Sequence, residues 1–291
     1  MASVTTVPKS DTAGAQPAAD GGILVVDGIV KQFDTPDGPL VAVDHVSLSV
    51  RPGEFLAVIG PSGCGKSTLF NVIGGLLDGY RGTVTVGGEA VHGPHPAIGM
   101  VFQEESTFPW RTVIENVAFP LEIAGMRKQE RFDKARQFIS LVGLSGFENR
   151  YPAELSGGMR QRVAIARTLA SEPKILLMDE PFASLDEQTR LLLGDKVLQI
   201  QQDLKQTTLL ITHNITEAVQ LADRVLVMTY RPGKVKRMVD INLSRPRSSE
   251  IVSSEAFGRY VAEIWSDLRE EASRGMRDDE ARALHAGEHG P

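Results

Sequence analysis

Apolar positions along the chain follow two spacings. Short apolar runs at Ile23–Val26, Ile29–Phe33, Val46–Val50, Phe55–Ile59 and Thr83–Val86 predict strands. The first three suit an antiparallel edge sheet, with Thr35-Pro36-Asp37-Gly38 as the turn before the third, and Gly87-Gly88 closes Thr83–Val86. Ala97–Phe102, Lys174–Met178, Thr208–Ile211 and Val225–Met228 are mainly apolar runs, suited to the strands of a buried parallel sheet. A helical period runs through Ser67–Leu76, Val113–Ala124, Gln129–Val142, Met159–Ala170, Glu187–Lys205 and Ile215–Ala222. The alternation predicts an α/β fold of mainly parallel sheet with an antiparallel β subdomain. Thr112–Ala170 is almost wholly helical and interrupts it, which predicts a helical subdomain at about residues 104–170. Residues 1–21 lack an apolar core and read as a disordered leader, not a secretory signal. Residues 244–291 form a polar, partly helical extension, with a weakly amphipathic helix at Glu255–Arg274 and a frayed last dozen residues.

The 291 residues are 42 % hydrophobic, enough for one large or two small domains. A net charge of −6 weighs against a nucleic-acid coat, and no nucleic-acid partner is expected. Cys64 is the only cysteine, so neither a disulfide framework nor a cysteine-based zinc site can form, and a reducing compartment fits. No run approaches the ~18 apolar residues of a membrane span.

Gly60-Pro61-Ser62-Gly63-Cys64-Gly65-Lys66-Ser67-Thr68 lies between a predicted strand and a predicted helix. The glycines let successive N–H groups turn inward, and the helix N-terminus adds partial positive charge, which together make a phosphate cradle. Lys66 can reach β- and γ-phosphates, and the Ser67 hydroxyl can hold Mg²⁺. At average composition this spacing arises by chance in only ~1 % of chains this long, so we read a nucleoside-triphosphate site. Asp179 and Glu180 end the run Ile175–Met178. Strand alternation points neighbours to opposite faces, so one carboxylate can support Mg²⁺ while the other faces an attacking water. Leu155-Ser156-Gly157-Gly158-Met159-Arg160-Gln161 is a second helix start suited to an anion. Either the chain takes two ligands, or this start addresses a phosphate held by another copy.

With these motifs in this order, residues 22–243 resemble the ATP-binding subunit of ABC transporters, which implies a P-loop NTPase core and ATP and Mg²⁺ as ligands. The resemblance makes Leu155–Arg160 the signature loop, with Ser156, Gly157 and Gly158 contacting the ATP of a second protomer; Met159 stands where Gln is usual. It implies that Asp179 supports Mg²⁺ and Glu180 activates water. Gln103 resembles the residue that senses Mg²⁺ and water, and His213 the switch histidine on the γ-phosphate. Phe33 resembles the aromatic that stacks on adenine, although a strand Phe is more often core. Ser184-Leu185-Asp186 resembles the loop that couples the two sites across the dimer.

A single nucleotide unit without a span resembles importers, whose membrane path is a separate permease and whose solute comes from a solute-binding protein. This implies a peripheral place on the cytoplasmic face of the membrane. Pro109-Trp110, Val113-x-x-Asn116-Val117, Met159-Arg160-Gln161-Arg162 and Arg231-Pro232-Gly233-Lys234 are similar to the nitrate, sulfonate and taurine uptake group; importers of nucleobase precursors or bicarbonate look nearly the same. Phe108, Pro109 and Trp110 are candidates for the permease groove, with Trp110 equally able to pack the helical part. Lys234, Lys236 and Arg237 form a basic cluster that faces either solvent or lipid headgroups. The alternative is a soluble ATPase of the DNA-repair or translation type. Such proteins usually carry two nucleotide units, a coiled coil or basic insertions, which this chain lacks.

Overall fold

The computed structural model describes residues 23–36, 38–103, 106–183 and 185–287. The leader, Asp37 of the expected turn, Glu104, Glu105, Ser184 and the last four residues lie outside the described residues.

Two sheets are present among the described residues. The smaller is antiparallel, in the order β2 (Gly38–Val50), β1 (Leu24–Thr35), β4 (Arg81–Val86), β5 (Glu89–Ala90). The two strands expected before residue 34 are one long strand with a register shift between Val26 and Ile29, where Gly28 adopts φ +60°. The larger sheet has the order β10 (Val235–Asp240), β9 (Arg224–Met228), β3 (Phe55–Ile59), β8 (Thr207–Ile211), β7 (Ile175–Asp179), β6 (Ile98–Val101). All neighbours are parallel except β10, which pairs antiparallel with β9 at the edge.

Both faces of this sheet are covered, and the strand period of two sorts its side chains between them. Phe55, Ala57 and Ile59 of β3 join the core under the helices, with Leu176 and Met178 of β7 and Val225 and Val227 of β9. Leu56, Val58, Ile175, Leu177, Leu226 and Met228 face the opposite way, toward the smaller sheet. Helix α1 (Lys66–Ile73) fills that second layer with Leu69, Phe70, Val72 and Ile73.

Helices α2 (Val113–Ile123), α3 (Lys128–Leu141) and α4 (Gly157–Ala170) pack on one another, and their core is continuous with the helix-covered face of the large sheet. At the start of α2, Glu115 accepts both the N–H (2.9 Å) and the hydroxyl (3.0 Å) of Thr112. Glu115→Ala should cost about 1 kcal/mol of stability, read as a lower urea midpoint at unchanged slope. The Thr112 N–H first, and its hydroxyl with it, hold the Glu115 carboxyl below 4.5. A depressed carboxylate stabilises the fold above its unfolded value, so this contribution is complete above pH 4.5 and is lost as pH falls through the folded value.

Helix α5 (Glu187–Leu204) and α6 (Ile215–Leu221) complete the layer. Beyond β10, Arg247 ties the connection down by donating to the Ile241 carbonyl at 2.8 Å and to that of Ala222 at 2.5 Å. Helix α7 (Glu255–Gly287) then buries Phe257, Ile264 and Leu268 in the helix-side core. It runs past Arg274, where the sequence pattern places its end, to Gly287. The basic cluster is paired with acidic side chains: Lys234 with Asp44 (2.8 Å), Lys236 with Glu270 (2.5 Å) and Glu271 (2.8 Å), and Arg237 with Glu263 (2.9 Å) and Asp267 (2.7 Å). No helix among the described residues is long and apolar enough to cross a membrane.

Candidate functional site

The carboxyl ends of the five parallel strands converge on one edge of the large sheet, where open α/β folds place their ligands. The phosphate loop follows β3, Gln103 follows β6, Glu180 follows β7, His213 follows β8 and Arg231 follows β9. A cleft of about 600 Å³ opens there, lined by Ser62, Gly63, Gly65, Lys66, Ser67, Thr68, Gln103, Glu180, His213 and Arg231, with Phe33, Leu40 and Ala42 on its β1–β2 side. That volume suits a nucleotide-sized ligand.

The loop curls around its own lysine. Lys66 is 7 % exposed, and its ammonium donates to the carbonyls of Gly60 (2.8 Å) and Pro61 (3.0 Å). Gly65 caps α1 at φ +101°, where a Cβ would stand 2.5 Å from the Ala42 carbonyl oxygen, so this turn requires glycine. Gly60, Pro61 and Cys64 form the back of the loop and do not line the cleft. Burial pushes the Cys64 thiol above its usual value, and it serves as a small packing residue.

Asp179 is buried at the end of β7, with the Ser67 hydroxyl beside it. Burial is the largest influence and raises its carboxyl above the usual range; Glu180 adds to this, while Ser67 and Lys66 oppose it. Its Oδ1 has no hydrogen-bond partner in the protein. A buried carboxylate oxygen without a donor, beside a hydroxyl at the mouth of a phosphate loop, is the donor set a hydrated Mg²⁺ takes. No cluster of three or more His, Cys, Asp or Glu that would suit a metal occurs among the described residues, so such an ion would draw on ligand oxygens as well.

Glu180 departs from simple strand alternation. It lies one residue past β7 at φ +45°, a left-handed conformation rare for a non-glycine residue, and this turns its side chain into the cleft. There Oε2 is 3.0 Å from His213 Nδ1 and 3.4 Å from Gln103 Nε2. With Nδ1 engaged, Nε2 is the ring nitrogen of His213 left to meet a ligand. The His213 loop is anchored beneath by Glu217, which accepts the Thr212 hydroxyl at 2.5 Å and pairs with Arg190 Nε at 3.1 Å. Arg190 Nη2 in turn donates to the Leu185 carbonyl at 2.8 Å.

Ser156, Gly157, Gly158 and Asp186 are not brought to this cleft. Ser156 caps α4 by accepting the Met159 N–H at 3.3 Å, and a Cβ on Gly158 would stand 3.3 Å from Leu185. Asp186 caps α5 by accepting the Thr189 N–H at 3.0 Å, and Thr189 keeps its carboxyl below the usual range. Leu40, Ala42 and Arg231 line the cleft without being among the site residues read from the sequence, and Arg231 is the charged one. Its motif was visible, but its contact, Nε to the Gly63 carbonyl at 2.8 Å, joins positions 168 apart and leaves no local signal.

Residues 43–183 match the ABC transporter family. The nitrate import ATP-binding protein of Synechocystis sp. is 45 % identical over 90 % of this chain and 98 % of its own length. The aliphatic sulfonates import ATP-binding protein of Bacillus cereus is 41 % identical over 80 % and 90 %. Among solved structures, a dimeric ATP-binding cassette in a post-hydrolysis state with ADP and Pi superimposes at TM-score 0.67 and 31 % identity, covering 76 % of this chain and all of that one. The chain belongs to the ATP-binding subunits of ABC transporters, ATPases whose hydrolysis is coupled to transport. These relatives favour the transport motor over a soluble repair or translation ATPase.

Proposed function

We propose that this chain powers an importer of nitrate, an aliphatic sulfonate, taurine or a similar small solute. The observation that carries the chemical part is the meeting of Lys66, Gln103, Glu180 and His213 in one cleft at the strand ends. ATP lies with its base against Phe33 and its phosphates in the Gly60–Thr68 loop. Ser67 and Asp179 would hold Mg²⁺, which when bound would supply positive charge against the developing phosphate charge. Glu180 accepts the proton of the attacking water, kept in place by Gln103 and His213, and His213 Nε2 addresses the γ-phosphate. The separation of Ser156-Gly157-Gly158 from the cleft supports a head-to-tail pair in which each signature loop, with Asp186 nearby, closes the other protomer's site.

The permease surface we assign to the loop before α2. Asn116 is fully buried there and clasps this loop, accepting the Phe108 N–H (2.8 Å) and donating to the carbonyls of Phe108 (3.1 Å), Arg111 (2.9 Å) and Thr112 (3.0 Å). Phe108 stacks edge-on against Phe119, while Trp110 is left 71 % exposed, which favours docking over internal packing. A membrane permease seated here places the chain on the cytoplasmic face, with a solute-binding protein supplying the far side.

The test of the shared site is Ser156→Arg. The bulky cation blocks close approach of a second copy but leaves the monomer's own cleft intact. ATP affinity of the monomer should stay within about twofold, while ATP-driven dimerisation is lost and turnover falls by about tenfold or more. A Ser156→Arg protein that hydrolyses ATP at the normal rate sinks the shared-site mechanism.

A further inference from the structure

No described residue of α7 lines the cleft, yet one of its carboxylates reaches the phosphate loop through a short relay. Glu271 is 1 % exposed. It accepts the Tyr230 backbone N–H at 2.9 Å and pairs with Lys236 at 2.8 Å and Arg274 at 3.5 Å. Tyr230 opens the segment 230–233, whose other side is fitted to the nucleotide cleft. Arg231 Nε donates to the Gly63 carbonyl at 2.8 Å. The Gly233 N–H donates to the Ala42 carbonyl at 3.0 Å, and its own carbonyl accepts the Asp44 N–H at 2.9 Å. Gly233 lies so close to the loop that a Cβ there would stand 2.0 Å from the Cys64 carbonyl oxygen. One turn beyond Glu271, Gly275 backs onto the Tyr230 ring, where a Cβ would stand 2.8 Å away.

The segment is thus held between α7 and two residues of the phosphate loop. A loop that binds phosphate through its backbone N–H groups works best when those groups are already aimed, because ordering them on binding costs affinity. Removing the Glu271 carboxylate deprives the buried Tyr230 N–H of this acceptor and leaves Lys236 less compensated, so the segment repacks and Gly63 loses a fixed neighbour.

We propose that Glu271 is a positioning residue for the phosphate loop, and that the C-terminal helix thereby sets the nucleotide affinity of the cleft. This rests on the reading of the cleft as the ATP site. The full chain is titrated with a fluorescent ADP analogue, and kcat and KM for ATP are measured below the melting temperature of each variant. Glu271→Ala should weaken binding about tenfold and raise KM with kcat nearly unchanged, whereas Glu271→Gln, still an acceptor, should stay within about threefold. Gly275→Ala strengthens α7 as a helix while pushing on Tyr230. The gain in helix propensity offsets part of the overpacking cost, so the variant should stay folded, melt within a few degrees of the wild type and bind about threefold more weakly. It decides the matter alone if Glu271→Ala does not fold. Unchanged affinity in a folded Glu271→Ala or in Gly275→Ala, or a Gln variant as weak as Ala, overturns the relay. A wild-type chain that binds no analogue overturns the cleft reading, and the relay with it.

Discussion

Glu180→Gln should bind ATP as tightly as the wild type, dimerise on ATP and turn over about 10³-fold more slowly. The amide keeps the size of the side chain and an oxygen for the contacts to His213 Nδ1 and Gln103 Nε2 at 3.0 and 3.4 Å, so the geometry of the cleft survives. What it loses is the ability to take a proton. The backbone at φ +45° is no more strained with Gln than with Glu, so a loss of fold is not the expected cause of a loss of rate. ATPase rate, nucleotide titration and gel filtration with ATP separate these effects. Turnover near the wild-type rate would assign the water to some other group.

Lys66→Ala should raise the dissociation constant for ATP about 10²-fold and suppress hydrolysis by about 10³-fold. Lys66 is the only cationic side chain between Gly60 and Thr68, and Arg231, the other cation lining the cleft, is tied to the Gly63 carbonyl. The variant also loses the internal tie to Gly60 and Pro61, which leaves the loop free to open. Stability without nucleotide should change by no more than about 1 kcal/mol, because removing a buried ammonium also removes its desolvation cost. Fluorescent-nucleotide titration and calorimetry in parallel test both halves. Hydrolysis preserved in a clean preparation would remove the phosphate loop from its assigned role.

The strands of the large sheet were legible because burial on both faces forces unbroken apolar runs, as in Ile175-Leu176-Leu177-Met178. The phosphate loop was legible because its chemistry needs glycines and a lysine at fixed offsets along one stretch of chain. Two strands escaped. β5 is two exposed residues, and β10 carries basic residues whose partners lie on α7, beyond the reach of any local pattern. The backbone turn that carries Glu180 into the cleft escaped for a different reason. Alternation assumes a strand continues, and this one ends one residue earlier. Two anion-suited helix starts with one lysine-bearing loop leave the sequence with a choice between two ligands and two protomers, and within one chain the second start does not line the cleft of the first.

Arg190 and Glu217 join two loops whose assigned duties differ, one facing the chain's own nucleotide through His213 and the other running toward Asp186. Because Glu217 is buried and Arg190 only partly exposed, pulling either loop away leaves the Glu217 carboxylate without its cation where water solvates it poorly. Displacements of the two loops are therefore correlated and not independent. On the proposed reading of His213, an inward move of its loop should carry the rim around Leu185 with it. The tie lies within one chain, so it would link the nucleotide site to the outer rim in a lone protomer as well.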